Sequence, residues 1–188
     1  MKTIIFFGGG VLLSELIKIS LNKKINCVVF TSPRHAKETI LKNLTLKNFL
    51  KSKKINFYIT RKINIKKLKK YTINKKCIGF SIGSAWIFKK NIIDIFKSRI
   101  YNIHGANLPS DRGGGGFSWQ ILKNNKNGFS CLHKINEKID YGNIIETSKF
   151  SSRSFNNPID WQKKYIKVSA DMFKKNLSNL FTRKIISK

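Results

Sequence analysis

Long apolar runs, cysteine, histidine and acid are all scarce in this 188-residue sequence. No uninterrupted apolar stretch reaches the roughly 18 residues needed to span a bilayer. The longest candidate, Met1 to Leu21, is broken by Lys2, three glycines, Glu15 and Lys18, and it lacks a small-residue cleavage site. Neither a membrane span nor a secretory leader is expected, and a cytoplasmic setting is. The three cysteines, Cys27, Cys77 and Cys131, lie far apart without a C-x-x-C pair. They read as buried reduced thiols rather than a disulfide framework. His35, His104 and His133 show no metal-ligand spacing, so no metal is expected.

Nine acidic residues face 38 basic ones, for a formal charge of +29. Such a charge attracts phosphate-rich partners, RNA included. It is spread from Lys2 to Lys188, and arginine, the planar reader of phosphates and bases, supplies only six of the 38. Two readings stay open: compositional drift towards lysine, isoleucine and asparagine, or a polyanionic ligand. The hydrophobic fraction of 41% at this length suits one sizeable core.

What is present alternates. Thr3–Phe7 is a short apolar run closed by Gly8-Gly9-Gly10, then Leu12, Leu13, Leu16, Ile17 and Leu21 recur at helical spacing. Further strands are expected at Ile25–Phe30, Asn56–Ile59, Cys77–Ile82 and Ile100–Ile103. Helices are expected at Ala36–Leu50, Ile65–Tyr71 and Lys90–Phe96. The alternation predicts an α/β fold with a mostly parallel sheet and right-handed crossovers. After residue 104 a glycine-rich loop leads to a helix at Phe117–Leu122, strands at Phe129–Ile135 and Asn143–Phe150, and a closing helix at Pro158–Phe181, whose aromatics read as core. The glycine turn lacks the full G-x-G-x-x-G fingerprint, because Leu13 holds the third glycine position. It reads as a tight strand-to-helix turn needing positive φ, with an anion at the helix N-terminus as the alternative.

Chemistry concentrates in Tyr101-Asn102-Ile103-His104 and the loop that follows. Asn102 and His104 are two apart at a strand's carboxyl end, so both face one side with Ile103 opposite. That edge is where α/β sheets place ligands. An amide that donates to an oxyanion beside an imidazole that moves protons near neutral pH suits acyl transfer. A carboxylate should complete the set, and Asp140, in Ile139-Asp140-Tyr141-Gly142, sits in an expected turn downstream. On the residues alone, His104 could equally be a structural hydrogen-bonder and Asp140 a turn former.

Asn-x-His, then Leu108-Pro109, then Arg112-Gly113, then Asp-x-Gly 36 residues after His104, resembles the folate-dependent formyltransferases. The resemblance is strongest from Gly83 to Ile145 and runs loosely back to Met1. It implies a Rossmann-like formyltransferase domain occupying 1–188, without the C-terminal β-barrel that methionyl-tRNA formyltransferases carry. It also implies a catalytic set of Asn102, His104 and Asp140, with His133 supporting or structural. The formyl donor, 10-formyltetrahydrofolate, is expected against Ala85, Trp86, Ile87 and Phe88, with Asn136, Ile139 and Asp140 as the other wall. Gly8, Gly9, Gly10, Leu108, Pro109, Arg112 and Gly113 are assigned to the acceptor side. The run Gly105-Ala106-Asn107-Leu108-Pro109 departs from the Pro-Ser-Leu-Leu-Pro frequent in the family, and the four glycines at 113–116 make that loop supple.

The implied acceptor is a small, phosphate-bearing primary amine, first a nucleotide-linked amino sugar, with methionyl-tRNA as the alternative. A formate-releasing hydrolase and a non-catalytic nucleotide- or RNA-binding relative are the competing classes, and homo-oligomerisation is left open.

Overall fold

A computed structural model describes residues 1–73, 76–152 and 157–182. In chain order the elements are β1 (Thr3–Gly8), α1 (Gly10–Asn22), β2 (Asn26–Thr31), α2 (Pro33–Lys37), β3 (Thr39–Leu41), β4 (Leu44–Thr45), α3 (Leu46–Ser52) and β5 (Asn56–Ile59). They continue as α4 (Ile65–Thr72), β6 (Cys77–Ile82), α5 (Lys90–Ile95), β7 (Ile100–His104), α6 (Gly116–Leu122), β8 (Asn127–Lys134), β9 (Ile144–Ser151) and α7 (Pro158–Phe181). Seven strands form one sheet in the order β5-β2-β1-β6-β7-β8-β9. The first five run parallel, and β8 and β9 join antiparallel. Among the described residues no helix is long and apolar enough to cross a membrane.

Period-two alternation divides the core. Ile4, Phe6, Val29, Ile78 and Phe80 face one layer, with α1, α3 and α7 above them. Ile5, Phe7, Val28, Phe30 and Cys77 face the other, with α4 and α5. A strand covered on both faces has no polar side to show, which is why β1 and β6 are buried along their whole length and mostly apolar, with Ser81 the polar residue inside β6. In the second layer Phe7 stacks on Phe30 and meets Phe88 and Phe96 edge-on, with centroids 5.1–5.9 Å apart. Each such pair contributes about 0.5–1.5 kcal/mol beyond its buried area. The cysteines are all buried, and burial pushes the Cys27 and Cys77 thiols up to about 12.

The expected helix at Ala36–Leu50 is two short helices separated by a hairpin. Ser32 accepts from the His35 N–H and Pro33 starts α2, while Thr45 accepts from the Asn48 N–H and starts α3. Between them Asn43 takes φ +58° and closes the β3–β4 turn. Ile40, Leu46 and Leu50 are buried in one layer, so the apolar spacing was real, but the caps and the left-handed Asn43 interrupt the backbone.

Gly8 ends β1 at φ +123°, where an added Cβ would lie 1.9 Å from the Ile82 carbonyl oxygen. Glycine is needed there both for conformation and for close approach. Gly8→Ala should therefore lose on the order of 3 kcal/mol of stability, read from the urea midpoint. A shift below a third of that would show that the β1–β6 contact adjusts.

Candidate active site

The carboxyl edge of β1, β6 and β7 opens into a cavity of about 580 Å³, within the range of small-molecule sites. Its walls come from both layers. On the α4–α5 face stand Ser84–Phe88 and, opposite, Ile135–Asp140; on the α1–α7 face stand Gly9–Leu12 with Gln162, Tyr165 and Ile166. Phe88 is buried among the second layer's aromatics and fixes one wall from behind, while Trp86 is tied by its indole N–H to the Arg61 carbonyl at 2.9 Å. Trp86, Ile87, Ile135 and Ile139 add apolar side chains to the lining of the cavity.

At the floor of this cavity the strand geometry brings Asn102 and His104 together, and the β8–β9 turn brings Asp140 to them. The Asp140 carboxylate lies 3.7 Å from His104 Nδ1 and 3.5 Å from His133 Nε2, and it accepts from the Gly113 N–H at 3.0 Å. His133 sits opposite Asn102 in the antiparallel register of β7 and β8, and their side chains meet at 3.1 Å. The Lys134 carbonyl can only accept, so His133 Nδ1, 2.8 Å away, carries a proton there. By the same reasoning His104 Nε2–H donates to the Asp111 carbonyl at 3.0 Å. Each imidazole thus turns its other nitrogen to the shared carboxylate and can donate to it once protonated. The cluster is a carboxylate that orients two rings and stabilises their cations.

Burial by itself would raise the Asp140 carboxyl. The His133 hydrogen bond, the His104 charge, the Gly113 N–H and the His133 charge outweigh it and hold the group below the ordinary carboxylate range. Burial pushes the Tyr165 phenol well up, so it stays protonated on the cavity wall. The turn carrying Asp140 is held by geometry as well. Asp140 takes φ +56°, and an added Cβ at Gly142 would fall 1.7 Å from the Lys134 carbonyl oxygen.

All of Ala85, Trp86, Ile87, Phe88, Asn136, Ile139 and Asp140 line the cavity, as do Gly9, Gly10 and Gly113. Gly8, Leu108, Pro109 and Arg112 lie off it. Leu108 is buried, and Arg112 stacks its guanidinium 3.7 Å over the Tyr141 ring and donates to the Asp140 carbonyl. Sequence reasoning did not find Gln162, Tyr165 and Ile166, because α7 reads throughout as an apolar-faced core helix. It could not find the Asp111 carbonyl at all, since main-chain atoms leave no mark in residue type.

No family model matches the chain. It is 29% identical over 188 residues to the bifunctional polymyxin resistance protein ArnA of Wigglesworthia glossinidia brevipalpis, covering 98% of this chain and 28% of that protein. It is 28% identical over 160 residues to a methionyl-tRNA formyltransferase of Mycoplasma genitalium, covering 80% and 49%. Among solved structures, WlaRD, a sugar 3N-formyltransferase crystallised in the presence of dTDP and 5-N-formyl-THF, aligns with a TM-score of 0.81 at 24% identity, over 100% of this chain and 66% of that one. A phosphoribosylglycinamide formyltransferase from Bacillus halodurans aligns at 0.77 and 17% identity, over 97% and 96%. The chain resembles formyltransferases in sequence and shares their fold. It spans about half or less of the length of these two curated relatives. The likeness in fold covers the whole sheet, including β8 and β9, between which Asp140 reaches His104.

Proposed function

We propose that this formyltransferase domain moves a formyl group from 10-formyltetrahydrofolate to a primary amine. The observation that carries the reading is the meeting of Asn102, His104 and Asp140 beneath an apolar slot suited to a flat heterocycle. The donor supplies a formyl carbon bonded to a nitrogen that can leave. The acceptor's neutral amine forms the new C–N bond as the old one breaks. Asn102 keeps a second N–H beyond the one facing His133, and that N–H with protonated His104 stabilises charge on the formyl oxygen. For this, His104 Nε2 exchanges the Asp111 carbonyl for the formyl oxygen. Asp140 holds the imidazolium and helps carry the proton from the attacking nitrogen to the departing one.

For the acceptor we infer a nucleotide-linked amino sugar. Sugar N-formyltransferases align over the whole chain. Methionyl-tRNA is the second reading, favoured by the relative matched over 80% of the chain. The test is release of tetrahydrofolate from 10-formyltetrahydrofolate with amino-sugar nucleotides, methionyl-tRNA, glycinamide ribonucleotide or no acceptor. Turnover is expected with an amino-sugar nucleotide. Equal release without acceptor would make the protein a hydrolase. In parallel, saturating reduced folate should raise the melting temperature by mass action, since only the folded state offers the slot. No shift would remove the donor from the proposal.

A further inference from the structure

The main chain on both sides of His104 is held by side chains from distant helices. β7 and its pairing with β8 end at His104, so the carbonyl of Gly105 lies beyond the ladder and needs a donor from elsewhere. Gln120 of α6 provides one. Its side-chain N–H donates to the Gly105 carbonyl at 2.7 Å, and the residue is only 2% exposed. On the other side of His104, the Tyr165 hydroxyl of α7 donates to the Ile103 carbonyl at 3.4 Å. The Tyr165 ring also covers Gly105, where an added Cβ would meet it at 3.2 Å.

Packing alone does not account for a glutamine at 120. The Gly105 carbonyl can only accept, so the amide nitrogen must face it. The amide oxygen is then buried with no hydrogen-bond partner among the described residues. A buried acceptor left unpaired lowers stability, and an apolar side chain of similar shape would avoid that loss. The bond also closes a circuit around the reacting groups. α6 follows the glycine loop, and the Gly113 N–H of that loop donates to the Asp140 carboxylate, which faces His104. The four glycines at 113–116 give the loop little stiffness. Gln120 is the side chain that ties the far end of that loop back to the residue after His104.

We propose that Gln120 is a positioning residue for formyl transfer: by anchoring the Gly105 carbonyl, it sets where the His104 imidazole stands relative to Asp140 and the formyl carbon. The inference rests on the formyl-transfer reading above. Gln120 is not part of the cavity lining, so it acts through His104 and not on either substrate. A misplacement of about 1 Å can cost on the order of 10² in rate, and a loosened anchor should cost part of that.

Gln120→Met keeps the length of the side chain and removes the donor. It should lower kcat at least about tenfold, with acceptor KM and the dissociation constant of 5-formyltetrahydrofolate within about twofold of the parent. Its unfolding midpoint in urea should stay near the parent's, because the carbonyl left unpaired at Gly105 is offset by removal of the unpaired amide oxygen. The deciding measurement repeats the change in the His104→Ala background, by single turnover. There it should cost less than about twofold, since the ring it positions is gone. A residue that only supports the fold would cost the same in both backgrounds. Gln120→Glu is the second variant. It keeps the shape and donates to Gly105 only while protonated, a state that burial favours. Its kcat relative to the parent should fall as pH rises from about 6 to about 8.5. His104, Asp111, Asp140 and Tyr165, the ionisable groups around this strand end, titrate in both proteins and drop out of the ratio. Full kcat in Gln120→Met, equal fold-loss in both backgrounds, or a Gln120→Glu protein with the parent's rate at every pH would overturn the inference and leave formyl transfer standing. A parent protein that transfers no formyl group would remove both.

Discussion

Replacing His104 with alanine should lower the turnover number of formyl transfer by on the order of 10² or more while leaving folate affinity nearly unchanged. The side chain lies at the cavity floor, and its charge matters only once the formyl oxygen becomes anionic. The apolar walls that would hold the donor are untouched. The change appears in kcat, measured with saturating donor and acceptor, and the dissociation constant of a folate analogue is the companion measurement. A polyanion-binding protein would respond differently, with little effect of the substitution and RNA affinity falling steeply with salt. Full transfer activity in the variant would take His104 out of the reaction, whatever the fold.

Asp140→Asn should cost more, on the order of 10³ in turnover. The amide can still accept from the Gly113 N–H, so the turn survives. The charge that orients His104 and His133 is lost. The same variant tests the depressed carboxyl. A group held below its unfolded value stabilises the native state above that value, about 3.9 for aspartate, and the stabilisation disappears as pH falls through the native value. The parent should thus exceed Asp140→Asn in urea stability at pH 7, and the two should converge below about pH 4. A gap that stays constant through acid would assign the loss to packing rather than charge.

The seven strands of the main sheet were legible, each within two residues of its expected ends, and the central β1, β2 and β6 most plainly, because burial on both faces favours apolar runs. Asn102 and His104 were legible for a simple reason: period two puts them on one face. Asp140 was placed by its family resemblance, since an aspartate before a glycine says little alone, and its approach to His104 depends on the β7–β8–β9 register. That register also makes His133 a partner of Asn102 across 31 residues of chain, a relation no local pattern contains. The hairpin at 39–45 was hidden because Ile40, Leu44 and Leu50 keep helical spacing while Asn43 breaks the helix. The glycine turn at Gly8 proved to be conformational first, with an oxygen where any side chain would stand.

Phe88 has one more consequence. It belongs to the cavity wall and, at the same time, packs edge-on against Phe7 in the middle of the sheet. A surface loop ordinarily exchanges its amide hydrogens through small local openings, but releasing this one requires parting the aromatic layer. Amides from 86 to 88 should therefore exchange on the slow clock of β1 and β6, and a ligand in the slot should slow exchange in β1 as well. The recognition surface and the folding core then open as one cooperative unit, so a conservative change at Phe7 would reach the ligand without touching it.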